Sequence, residues 1–276
     1  MRLQRSLPVP HACAQLLLAL ACIGGAAGAH AAEFAIAASP PRYELALKPG
    51  ERSRQVLEIS NAAGEATPLT VKTADWSVAP DASVTFHEEL QPGSCRPWVA
   101  IERRELTVPA GQPYRFRYEV SVPADAPAAE CRLAIMLEGQ EQVTRNADGI
   151  SVPLTARLGV IVYVVVGGAA PELSVVGART GTREGRAVPL LEVRNTGTAH
   201  GRLAGFLKGT DASGARLEFT PSNFPVLAGE TRFIELTATR EGNTDAQVQV
   251  QFPVTVTGKL EWGKDRSQNI EQRFTP

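Results

Sequence analysis

The chain has 276 residues and a formal charge of −1, with 28 Lys and Arg against 29 Asp and Glu; 43% of it is hydrophobic, and it holds 24 Gly and 20 Pro. That composition excludes a disordered or collagen-like chain. The near-neutral charge argues against a nucleic-acid partner, since such binders concentrate basic side chains on one surface. Four Cys and four His, half of each within the first 31 residues, leave little for a metal site or a His-dependent active site. No metal and no cofactor are expected.

In chain order, the first element is an address. Arg2 and Arg5 give a positive start, Leu16 to Ile23 is a short apolar run, and Ala29-His30-Ala31 supplies small residues at the positions a signal peptidase reads. The pattern predicts a secretory signal over residues 1–31, cleaved after Ala31. The apolar run is too short to span a bilayer comfortably. The remaining chain carries 26 basic and 29 acidic residues. Export would place Cys95 and Cys131 in an oxidising compartment. They can form one intramolecular bridge, closing a loop of about 35 residues and stabilising by roughly 3 kcal/mol in the chain-entropy view; the alternative is two free thiols. Their spacing is not CxxC, so a redox enzyme is not expected.

After the leader, alternation of apolar and polar residues dominates. It runs through Arg54 to Ser60, through Tyr114 to Val122 and through Gln247 to Phe252. Period two with β-branched and aromatic residues predicts half-buried strands. Turn signals separate them: Lys48-Pro49-Gly50-Glu51, Asn61-Ala62-Ala63-Gly64, Asp148-Gly149, Asn195-Thr196-Gly197 and Ala212-Ser213-Gly214. No helical stretch of 12 residues stands out. Many short strands at this spacing predict an all-β chain of β-sandwiches.

The chain also repeats itself weakly. Leu57-Glu58-Ile59-Ser60-Asn61 resembles Leu191-Glu192-Val193-Arg194-Asn195. Val108-Pro109-Ala110-Gly111-Gln112 before one alternating strand resembles Val226-Leu227-Ala228-Gly229-Glu230 before another. Two sandwiches of one design are therefore expected in tandem, at 32–167 and 168–276. They meet at the small-residue hinge Gly167-Gly168-Ala169-Ala170-Pro171. The first is longer by about 16 residues, an excess that the repeat arithmetic places within 75–104, around Cys95.

One stretch differs from the others. Ile150 to Val166 is seventeen residues of strand-forming sequence. In its first half Ile150, Val152 and Leu154 share one parity, opposite Ser151, Pro153 and Thr155. Its second half is apolar on both parities, as for a strand covered on both faces. Pro153 cannot donate to a ladder, so the first half is expected at an edge. A long apolar edge invites aggregation unless it exists to pair with another chain.

These residues resemble the PapD-like periplasmic pilus-assembly chaperones. Ser39-Pro40-Pro41-Arg42-Tyr43, followed by Gly50-Glu51-Arg52-Ser53 and Leu57 to Asn61, looks like the family's opening two strands. Ile150 to Val166 looks like the last strand of its first domain. Asn195 to Arg202 with Pro225 to Arg232 is similar to its second domain. The resemblance implies two immunoglobulin-like sandwiches set in an L, exported to the periplasm. It implies that a pilus or fimbrial subunit, lacking its own last strand, receives Ile150, Val152 and Leu154 as donated side chains. It also implies that two basic residues, by position Arg42 and Arg157, hold the subunit's C-terminal carboxylate between the domains, and that an outer-membrane usher is a second partner. Neither a small-molecule substrate nor nucleic acid is expected. The mature Cys pair, the unusually apolar second half of the long strand and the extended tail ending Gln268 to Phe274 depart from that family.

The alternative is a non-catalytic envelope module that kept the fold and donates no strand. An enzyme has no support: there is no nucleophile elbow and no metal-spaced His. His87 and His200 remain after the leader, and His200 reads as a surface residue beside a turn. Asp75, Asp81, Glu88 and Glu89 read as solvated loop charge.

Overall fold

The computed structural model describes residues 34–145 and 149–276; the expected leader and its cleavage site lie outside them. The first sandwich holds β1 (Ile36–Ser39), β2 (Arg42–Leu47), β3 (Arg52–Asn61), β4 (Thr67–Val78), β5 (Val84–His87), β6 (Val99–Ile101), β7 (Glu105–Val108), β8 (Tyr114–Ser121), β9 (Glu130–Glu138), β10 (Gln142–Arg145), β11 (Ser151–Leu154) and β12 (Arg157–Val166). The second holds β13 (Leu173–Arg183), β14 (Arg186–Asn195), β15 (Leu207–Thr210), β16 (Arg216–Pro221), β17 (Thr231–Arg240), β18 (Asn243–Gln247), β19 (Val254–Trp262) and β20 (Arg266–Phe274). Among the described residues the helical content is one 3-10 turn at Arg96–Trp98.

Period two becomes packing in each sandwich. On β8, Phe116, Tyr118 and Val120 are buried while Arg115 and Arg117 face solvent. One layer of the first sandwich orders its strands β1-β3-β8-β6, the other β2-β12-β9-β4-β5 with β7 beside β4. Between them lies a core that includes Leu57, Ile59, Phe116, Leu133, Ile135 and Val162. The chain passes from β1 in one layer to β2 in the other across the cis Ser39–Pro40 bond. β12 runs parallel to β2 and antiparallel to β9. Its even residues from Val160 to Val166 enter the core, and its odd residue Tyr163 is buried on the opposite face. Coverage of both faces explains why this strand reads as a continuous apolar run.

A second, separate core includes Leu191, Val193, Phe219, Ile234, Val256 and Phe274. The two sandwiches share a corner. The Asn61 amide donates to the carbonyls of Glu65 and Val108, and its oxygen accepts from Ala63 N–H. The Asn195 amide donates to the carbonyls of Ala199 and Val226, and its oxygen accepts from Gly197 N–H. Gly111 N–H returns to Asn61 O as Gly229 N–H returns to Asn195 O. The repeat in the sequence is thus a repeated hydrogen-bonded corner, in which a buried amide satisfies two loops at once.

Three expectations need correction. The long strand is two strands, because β11 ends at Leu154 and β12 begins at Arg157, with Thr155 and Ala156 between them. The segment Gln247 to Phe252 is not a laddered strand beyond Gln247. Val248, Val250 and Phe252 still pack on the second core, which preserves the alternation, while the segment ties in through Val248 N–H to Ala238 O and Gln251 N–H to Asp211 Oδ2. Asp75 is 5% exposed and is no solvated loop charge. Its carboxylate accepts from Ser94 Oγ and Gln91 N–H and faces Arg96, so it organises the segment that carries Cys95.

Candidate functional site

The β10–β11 hairpin continues from β9 and into β12 as a two-stranded sheet of its own, outside the two layers of the first sandwich. The extension is offset by one residue: Arg157 is opposite Glu138, whereas Leu154 is opposite Gln142, so three residues on one side face two on the other. Such a bulge bends a ladder. Gly139 sits at the bend, donates to Ala156 O and lets the Phe34 ring close over it. β11 is paired with β10 along one edge. Ile150 is 61% exposed, Val152 39% and Leu154 59%, three apolar side chains that would ordinarily be inside. They share the parity of Leu158, Val160 and Val162, so an apolar row that fills the core continues into solvent.

The outer face of the β2-β12-β9-β4 layer meets the second sandwich. Leu227 joins Ala74, Trp76, Ala134, Met136 and Tyr163 in a small apolar cluster. The His200 ring stacks on Tyr163 at 3.8 Å. Glu130 accepts from both the backbone N–H of His200, at 2.9 Å, and its Nδ1, at 2.5 Å. A carboxylate can only accept, so Nδ1 carries the proton. The side chain of His200 is 6% exposed, which corrects its reading as a surface residue. Arg232 adds a bond to Ala79 O in the β4–β5 turn. Burial in this junction raises the Tyr163 phenol above its ordinary value, against the opposing effect of Arg202.

Arg42 opens β2 and gives its Nε–H to Glu44 Oε1 at 3.0 Å. The same oxygen lies 3.7 Å from His200 Nε2 and 3.7 Å from Arg202 Nε. Arg42 thus stands at the junction of the two sandwiches. Its register partner on β12 is Ile161, four residues from Arg157, which is about 13 Å along a strand. Arg157 instead pairs with Glu138 at 3.0 Å and Glu88 at 3.5 Å, and Lys72 binds the same two carboxylates. Burial acts against the Lys72 ammonium, but its bonds to Glu88 and Glu138 raise it, and Lys72 holds Glu88 below the usual carboxylate range. The structure does not bring Arg42 and Arg157 together. It brings Arg202 to Arg42, a residue the sequence reading did not single out. Arg202 and His200 come from one segment of the second sandwich, and a sequence gives no sign of which first-sandwich side chains they will meet.

Cys95 and Cys131 are joined, with Cα atoms 6.0 Å apart. The bridge ties the added segment of the first sandwich to the start of β9, one residue from Glu130. Among the described residues no cluster of His, Cys, Asp and Glu is arranged to hold a metal ion.

No family model and no curated protein matches the sequence. Among solved structures the chain is similar to the class 5 fimbriae chaperone CfaA, at 13% identity and a TM-score of 0.43 over 87% of this chain and 99% of that one. It is also similar to the YadV chaperone, at 9% identity and a TM-score of 0.45 over 87% and 98%. The CupB2 chaperone of Pseudomonas aeruginosa aligns at 11% identity and a TM-score of 0.43 over 86% and 100%.

Proposed function

We propose that the protein is a periplasmic chaperone of pilus or fimbrial subunits that lends β11 to an incomplete partner. One observation carries this reading: Ile150, Val152 and Leu154 continue a core row into solvent on a strand paired along one edge. Adding a strand there satisfies backbone groups, and the three side chains fill the partner's open core. Arg42 holds the partner's terminal carboxylate at the junction, since a guanidinium can bind both oxygens. An outer-membrane usher is the expected second partner. The motif order from Ser39 to Arg232 supports the same reading, and export through the leader provides the compartment.

The test is Val152→Asp. An exposed position should accept the change with the thermal midpoint of the isolated protein unaltered. Capture of a subunit should be abolished, because an unpaired charge cannot enter an apolar groove. A fall in the midpoint equivalent to several kcal/mol would make the face part of the protein's own core and overturn the reading.

A second reading, an envelope interaction module that donates no strand, is favoured by one feature: β11 spans only four residues. On that reading Val152→Asp leaves partner binding unchanged.

A further inference from the structure

The second sandwich carries a trough of about 640 Å3 on the solvent side of β15, β16, β19 and β20, used neither by the junction nor by β11. Strand pairing builds it. Thr210 stands opposite Arg216 on one side and Thr255 on the other, and Thr255 stands opposite Arg273. One row of side chains therefore crosses four strands in the order Arg216, Thr210, Thr255, Arg273. Their sequence neighbours Leu217, Val254 and Phe274 lie in the core, so the row faces solvent. The two arginines are three strand spacings apart, about 14 Å at the backbone, with both hydroxyls between them. Lys208, two residues from Thr210, shares that face.

These donors are unspent. Neither hydroxyl has a hydrogen-bond partner among the described residues, and no carboxylate there pairs with Arg273. Glu241 is the acid of the trough's lining, 3.3 Å from Lys208 Nζ and 3.9 Å from Arg216 Nη1. All three side chains are exposed, so these ion pairs contribute little to stability and part readily. Three cations against one acid leave the trough a local charge of +2.

We propose that the trough binds a phosphate monoester group. A carboxylate has two oxygens, which one guanidinium fork can occupy. A monoester has three acceptor oxygens and nearly two negative charges, so forks from opposite sides can bind it together while the hydroxyls donate from below. Its charge also matches that of the trough. In the adjoining row Glu218 stands opposite Lys208, and Glu271 opposite Thr257. These two acids bound the trough with negative charge, which suits one phosphate and repels an extended polyanion. A soluble ester and a lipid headgroup present the same group. The site belongs wholly to the second sandwich and does not depend on strand lending.

The experiment titrates the whole mature protein with inorganic phosphate and with glucose 1-phosphate at constant ionic strength, following the arginine Nε–Hε signals by NMR, with acetate as the control anion. The Arg216 and Arg273 signals should move along one saturating curve with both phosphates and stay in place with acetate. Arg216→Gln and Arg273→Gln should each raise the Kd at least tenfold, and Thr255→Val at least threefold, with thermal midpoints unchanged; Glu241→Gln should lower it. Lys259→Gln removes the same charge from β19 outside the trough and should leave the Kd unaltered, as should Val152→Asp. Sedimentation with phosphatidylcholine vesicles carrying phosphatidic acid separates the sources: binding that Arg273→Gln abolishes assigns a lipid headgroup, and binding of the soluble phosphates alone assigns a soluble ligand. Shifts that never saturate, an equal response to acetate, or equal losses in Lys259→Gln and Arg273→Gln overturn the proposal.

Discussion

The Phe86 ring occupies the space that a side chain at Gly159 would fill. A Cβ built on Gly159 would stand 2.6 Å from Phe86 Cζ and 3.3 Å from Met136 Sδ. Phe86, on β5, folds over the outer face of β12 at the one position where β12 presents no side chain. Gly159→Val should therefore cost about 1–3 kcal/mol through overpacking. Phe86→Ala in the same chain should restore part of that loss, as judged by thermal unfolding of the four proteins in the cycle. Equal costs of Gly159→Val with and without Phe86 would show that the glycine is needed for another reason.

Glu130 and His200 should be energetically coupled. The Glu130 side chain is almost fully buried, and both of its described hydrogen bonds go to His200 of the other sandwich. A double-mutant cycle with Glu130→Ala and His200→Ala should return a coupling of roughly 0.5–3 kcal/mol. Additive costs would mean that the other contacts between the sandwiches, among them the Leu227 cluster, Arg202 and Arg232, hold them without help from this pair.

Non-reducing peptide mapping of exported protein should recover Cys95 linked to Cys131. Replacing both with Ala should lower stability by roughly 3 kcal/mol, the constraint on a loop of this length. Ready alkylation of both thiols without reductant is the contrary result.

The turn at Asp211 predicts an acid sensitivity. Burial works to raise this carboxyl, but it accepts from Ser213 Oγ and from the N–H groups of Ser213, Ala215 and Gln251, which together hold it below its ordinary value. A group depressed in the folded state contributes fully above its unfolded value, about 3.9, and loses that contribution as pH falls through the folded-state value. Asp211→Asn should lower the midpoint at neutral pH by the equivalent of about 1.5–3 kcal/mol. The gap between variant and parent should close as the pH is taken below about 4. A gap independent of pH would assign the effect to shape instead of charge.

The strands were legible because period two is a local property: each residue's neighbours in sequence determine which face it shows. The doubled corner was legible through its local half, since the amide nitrogens of Asn61 and Asn195 each bond a carbonyl four positions on, besides one distant carbonyl, of Val108 and Val226. The junction was not. His200 looks like a turn residue beside Thr198 and Ala199, and it is buried only because Glu130 and Tyr163, 70 and 37 positions earlier, close over it. Arg157 has the charge and the strand expected of a cleft residue. Its four-residue offset from Ile161 depends on where β2 pairs with β12, which no pattern in either strand specifies. The break at Thr155 and Ala156 was hidden too, because a one-residue bulge leaves the apolar parity of Leu154 and Leu158 unchanged.

The segment that projects as β11 leads through Thr155 and Ala156 into β12, which lies between two neighbours, pairing with β9 from Arg157 to Val165 and with β2 from Ile161 to Val166. A pull on the hairpin is therefore directed along β12, parallel to its neighbours and across its ladder bonds. Bonds loaded in that direction share the force and must yield together, whereas a strand peeled sideways gives up one bond at a time. The hairpin is thus mounted as a handle. Traction on whatever it holds is resisted by the whole layer, and only a lateral motion would release it cheaply.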